Sequence, residues 1–222
     1  MTFQHRLALL GLIMGAVPVL AGPVLAAEPV PAPIDFIVDR DGTPIGTQRL
    51  TFHTEPGPDG DRLIVDSTID VKVRAAFITV YRYSLTARET WQGGKLVAMD
   101  TATDDDGKKL AVHARATSAG LEVDATDAHY VAPADTIPDS YWPPATVQHS
   151  RFIDVENGRL VDMVSTPAGH RTITVAGKPV DVTLYHLSGV ITGELGYGPD
   201  GRWLVLRFPS HGSDIVYAPA PR

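Results

Sequence analysis

The sequence predicts an all-β fold, an antiparallel meander of about a dozen strands forming a strongly curved sheet or partly open β-barrel. Three observations carry this. Residues 62–74 and 77–92 alternate with period two, as half-buried strands require. Turn pairs recur at short intervals, among them Asp41-Gly42, Gly93-Gly94, Asp106-Gly107, Asn157-Gly158, Asp200-Gly201 and His211-Gly212. No helical period is sustained long enough for a crossover, which antiparallel hairpins do not need. So many strands expose edges if they lie flat, and curvature or closure is the usual remedy.

The first 26 residues open with His5 and Arg6, continue through an apolar run at 7–17, break at Pro18, Gly22 and Pro23, and end in Val24-Leu25-Ala26. That order is the pattern of a secretory signal peptide, with cleavage expected after Ala26. The apolar run is shorter than the ~20 residues a membrane span needs. The expected location is the periplasm of a Gram-negative bacterium, with no stable membrane anchor after cleavage. Residues 27–33, AEPVPAP, read as an extended leader, because proline cannot donate to a sheet.

A single β domain is expected over 34–218. Residues 34–39 and 45–53 flank Asp41-Gly42 as a hairpin. In the next strand Leu63, Val65, Ser67, Ile69, Val71 and Val73 share a face; burying its five aliphatics is worth on the order of 10 kcal/mol before entropy, which fixes the register. The following strand places Phe77, Tyr81, Tyr83, Leu85, Ala87 and Trp91 on one side with Thr79 and Glu89. Gly93-Gly94 turns it into 96–103, Asp106-Gly107 into 110–117, and Ala119-Gly120 into 121–125. Residues 126–150 carry four prolines and no alternation. They read as a long loop, with one helical turn after Pro144, and loops of this length often cover a site. Strands resume at 151–155, 160–166, 171–175, 180–192, 203–208 and 215–217, with a turn expected at Ala168-Gly169.

The chain of 222 residues has a formal charge of −7 and no cysteine. Loss of the first 26 residues removes Arg6 and no acid, so the remainder is more acidic still. An acidic surface repels phosphate backbones, which argues against nucleic acid. Without cysteine there is no disulfide and no site for bacterial lipoprotein acylation.

Asp100 to Gly107 contains four aspartates, but an EF-hand register puts Ala102 and His113 at ligand positions, so no metal is expected there. The histidines show no metal-binding spacing. Ser210, His211, Ser213 and Asp214 lie close in sequence without a nucleophile elbow and read as a turn. His186 shares a face with Val180, Val182 and Leu184.

Glu89 is the polar anomaly. Alternation sets it among aromatic residues, where a lone carboxylate costs several kcal/mol unless it is paired or protonated. It contacts a ligand or serves as an acid/base group inside a barrel, or else this end of the strand is already in solvent or Glu89 pairs with a neighbouring arginine such as Arg115 or Arg207. Tyr141 and Trp142, between Pro138 and Pro143, either close over an apolar cavity or plug the sheet.

The segments FIVDRDGTPIGTQRLTF, VYRYSLTARETWQGGKLVAMDTATDDDGK, SYWPP and DGRWLVLRF resemble a family of exported bacterial β-rich proteins classed as a domain of unknown function. The resemblance covers about 34–217 and implies no activity, cofactor or catalytic residue.

The expected function is a non-enzymatic carrier or binding module. Its ligand is a lipid, another apolar or amphipathic small molecule, or an envelope protein, held at Tyr81, Tyr83, Glu89, Trp91, Tyr141 and Trp142. No cofactor is expected. The alternatives are an envelope hydrolase using Glu89 with His186 or His113, and an assembly scaffold with a filled interior.

Overall fold

The computed structural model describes residues 30–58 and 60–221. The expected signal peptide and residues 27–29 of the leader lie outside the described residues, and 30–33 are exposed without regular structure.

Eight strands come first: β1 (Ile34–Arg40), β2 (Thr43–Glu55), β3 (Arg62–Ala75), β4 (Ile78–Gln92), β5 (Lys95–Asp105), β6 (Lys108–Thr117), β7 (Gly120–Ala125) and β8 (Ala128–Ala132). The short β9 (Ile137–Pro138), a 3-10 turn at Pro144–Gln148 and β10 (Arg151–Ile153) follow. Five more complete the chain: β11 (Leu160–Val175), β12 (Lys178–Gly189), β13 (Gly193–Tyr197), β14 (Trp203–Ser210) and β15 (Ser213–Pro219).

These strands hydrogen-bond into one sheet of order β8-β7-β6-β5-β4-β3-β2-β1-β15-β14-β13-β12-β11-β10-β9. Consecutive strands other than β8 and β9 are neighbours, and β1 joins β15 at the centre. Only the β9–β10 pair is parallel. The ladder does not close. Its edges, β8 and β9, are joined directly by residues 133–136, and side chains bridge the seam. Tyr130 Oη donates to the Gly158 carbonyl at 2.7 Å. Gly158 lies so close to Ala125 that a β-carbon would stand 2.5 Å from that residue's own.

Register identifies the interior. Glu89 pairs with Val65 and Met99, Met99 with Ala114, and Ala114 with Val123. All are buried, so this face lines the barrel. The outer face carries the ion pairs expected of solvated alternation, such as Arg88 with Asp66 and Arg115 with Asp100, both at 2.8 Å. A second apolar cluster sits outside, where Val182 and Leu184 of β12 pack on Leu204 and Val205. Gly196 lies beneath it; a β-carbon there would come within 2.6 Å of Val182.

The structure departs from the sequence reading in four places. Ala168-Gly169 is no turn: β11 runs through it with a bulge between Pro167 and Gly169, whose φ is 95°. The expected strand at 180–192 ends at Gly189, the chain bends at 190–191, and β13 follows where no strand was expected. Residues 126–150 hold β8, β9 and the 3-10 turn rather than loop alone, the helical turn falling at Pro144 as expected. Phe77 does not join the aromatic face. It sits in the β3–β4 turn after Ala76, whose φ is 52°, and is fully exposed.

Candidate functional site

Strand β4 carries Glu89 inward, and Trp91, two residues on, shares its face. The Trp91 indole N–H donates to Glu89 Oε2 at 2.8 Å. Trp142 Nε1 donates to the same oxygen, also at 2.8 Å. The loop reaches that position through Tyr141, whose φ of 60° is costly for a bulky residue. Tyr197 holds the reversal, its hydroxyl donating to the carbonyls of Tyr141 at 2.6 Å and Pro143 at 3.1 Å. The two indoles meet edge to face at 5.4 Å, and Phe52 packs against Trp142 at 5.4 Å. This aromatic cluster fills one end of the barrel.

Glu89 is 1 % exposed. Burial pushes its carboxyl above the ordinary range, and the Trp142, Ser140 and Trp91 donors pull it part of the way back. Neither Arg115 nor Arg207 reaches it, because Arg115 binds Asp100 and Arg207 binds Asp214 outside. Asp139 joins the same interior. Burial and the nearby charge of Asp154 push its carboxyl well up, against the pull of the Val155 N–H, which donates to it at 3.0 Å. Sequence alternation missed Asp139 because it follows Pro138 in an irregular segment.

A cavity of about 70 Å³ lies between these acids, lined in part by Gln48, Ser67, Ser140 and Tyr141. Gln48 Oε1 is buried there without a hydrogen-bond partner. Ile69 and Tyr217 border both this polar chamber and a larger cavity of about 530 Å³. The larger cavity is lined by apolar and aromatic side chains including Val71, Val73, Tyr83, Phe208, Ile215 and Tyr217, with Glu156 the carboxylate on its wall. Burial pushes Tyr217 up to about 12. It pushes Tyr83 higher still, helped by the charge of Glu156. The mouth lies where the β1–β2, β3–β4 and β14–β15 turns gather: Arg40, Val80, Tyr81 and His211 form its rim. Tyr81 donates to Asp105 at 2.8 Å.

The six residues singled out by sequence therefore share one interior but divide along its axis. Tyr81 and Tyr83 line the open cavity, Glu89 and Tyr141 the polar chamber, and Trp91 and Trp142 the filled end.

The pairing of Glu89 with a histidine does not form. His113 pairs across the sheet with Asp100, next to Met99, and so points out; its ring nitrogen lies 2.7 Å from the Asp100 carboxylate. His186 pairs with Glu194, while its neighbours Tyr185 and Leu195 face in, so it too points out. The acidic tip is a turn held by its own side chains, with Asp104 accepting the Gly107 N–H at 2.8 Å. Ser210 to Asp214 form the β14–β15 turn, where Asp214 binds Arg207. Among the described residues, no three His, Asp or Glu side chains converge as a metal site, and no helix is long and apolar enough to cross a membrane.

A family model described as "Domain of unknown function (DUF6134)" matches residues 36–220. Among solved structures, the chain is similar to a beta-barrel-like protein of domain of unknown function DUF1849 from Brucella abortus. The likeness has a TM-score of 0.59 at 9 % identity and covers 88 % of this chain and 98 % of that one. At that identity it shows the barrel-like fold alone. A comparison with curated proteins found no match.

Proposed function

Since the chain belongs to the DUF6134 family of unknown function, which names no reaction, we propose from its interior that it is a non-enzymatic periplasmic carrier or binding module for an apolar or amphipathic small molecule. The observation that supports this reading is the open cavity of about 530 Å³ behind Val73 and Tyr81. That size falls within the ~300–1,000 Å³ of small-molecule sites, and an apolar wall with a few polar groups is their usual make-up. Transfer of each methylene from water to such a wall is worth ~0.8 kcal/mol, so a chain of several methylenes supplies the driving force. Tyr83 and Tyr217 add polar handles on an otherwise apolar surface.

Export through a signal peptide cleaved after Ala26 belongs to the same reading and brings the protein to the compartment where envelope lipids pass between membranes. The scaffold alternative requires a filled interior, and the open cavity of about 530 Å³ weighs against it.

The reading is tested by expressing the full chain with periplasmic export, purifying it without detergent, and analysing it by native mass spectrometry. A bound mass in the range of a lipid or smaller amphiphile is expected, released by organic extraction. Protein that carries no ligand from the envelope and takes up none from an added lipid extract contradicts it.

A further inference from the structure

The β3–β4 turn carries the most exposed apolar group of the described surface. Phe77 is 102 % exposed, Ile78 70 %, Val80 53 % and Tyr81 36 %. A hairpin tip needs no apolar residue for its own folding, since turns are served by small and polar ones. The register places a bulge here, between Val73 and Arg74, that leaves Val80 extra on β4. The patch continues without a break into the cavity rim, because Val80 and Tyr81 belong to both.

From this geometry we infer that the Phe77–Ile78 tip is a membrane-docking wedge that seats the cavity mouth on a phospholipid bilayer. The size of the patch favours a bilayer over a protein. Four side chains expose on the order of 400 Å², about half of the ~800 Å² per partner that a stable protein interface buries. Charge fits as well. Arg74 and Arg82 are exposed on the flanks of the tip, at the level where headgroup phosphates would meet an inserted Phe77. Aspartates on the neighbouring turns, Asp41, Asp105 and Asp106, exclude a mechanism driven by net charge alone. Docking therefore rests on apolar insertion, with the two arginines bound to phosphate, and does not require anionic lipid.

The wedge stands apart from the question of what fills the cavity, and its test reads only docking. Residues 27–222 are mixed with sucrose-loaded vesicles of phosphatidylethanolamine and phosphatidylglycerol, then with phosphatidylcholine alone, and sedimented. The expected result is binding to both, reduced at least tenfold in partition by Phe77→Asp with Ile78→Asp, with an unchanged thermal melt because both positions are exposed. Phe77→Trp is expected to keep binding, to show blue-shifted emission on vesicles, and to be quenched by brominated acyl chains. Equal partition of the double variant, absence of wild-type binding, or self-association of the wild type that the double variant abolishes would each overturn the inference.

Discussion

Trp142 donates its indole N–H to the carboxylate oxygen of Glu89 at 2.8 Å, across 53 residues of sequence. With Trp91 on the same oxygen, this bond pins the irregular segment to β4 and closes one end of the barrel. A buried donor without an acceptor costs ~1–3 kcal/mol. Glu89→Ala strands two of them and opens a void, so a loss of about 3–5 kcal/mol in urea unfolding is expected. Glu89→Gln keeps an oxygen acceptor, and less than half of that loss is expected.

The same carboxyl makes stability depend on pH. Glu89 and Asp139 are both raised in the folded state, Asp139 to about 8, so above the ordinary carboxylate range the folded chain holds protons that the unfolded chain has released. Stability then falls as pH rises through that window, by at most ~1.4 kcal/mol per unit for each group. Surface acids held low by partners, such as Asp100 beside Arg115 and Asp104 beside Lys109, act in the opposite sense, losing their contribution in more acidic solution. Unfolding free energy measured from pH 5 to 8 is expected to decline in the wild type. In Glu89→Gln with Asp139→Asn the decline is expected to flatten. A rise over this window in the wild type would refute the assignment.

Tyr197 holds the Tyr141 reversal. Tyr197→Phe removes the donor to two loop carbonyls, and a loss of about 1–3 kcal/mol is expected. A structural role confined to packing would leave tryptophan emission unmoved, whereas release of Trp142 is expected to shift it to the red.

Gly196→Ala tests the outer cluster. The added methyl would stand 2.6 Å from Val182 and 3.0 Å from both Leu184 and Val205. Overpacking of this kind costs ~1–3 kcal/mol. A thermal midpoint equal to the wild type would show that the β11–β12 hairpin does not pack there.

Much of the fold was legible because alternation and turn pairs are local. Leu63 to Val73 and Tyr83 to Trp91 face inward as their phase required. The failures share a cause, which is that backbone irregularity resets phase. Counting back from Tyr81 by twos placed Phe77 inside, but the bulge at Val80 and the turn at Ala76 intervene. Gly169 reads as a turn residue, yet its positive φ serves a bulge, and Gly193 and Gly196 hid β13 by removing the side chains that mark a strand. Glu89 stood out because its neighbours in sequence are also its neighbours in space. Asp139, Ser140 and Gln48 did not, because only the tertiary fold gathers them around one chamber. Which end of the barrel is filled depends on Trp142 reaching Glu89, and spacing carries no record of that.

The proposed carrier role puts an apolar molecule in the cavity behind Val73. Its most direct measurement is fluorescence titration of the wild type and Val73→Trp with the apolar probe N-phenyl-1-naphthylamine, followed by displacement with a fatty acid. Val73 is half-buried on the cavity wall, so an indole there occupies ligand space without entering the core. Saturable enhancement in the wild type, displaced by fatty acid and reduced at least fivefold in affinity by Val73→Trp, is the expected result. No enhancement in the wild type, or equal binding by both proteins, would contradict the account.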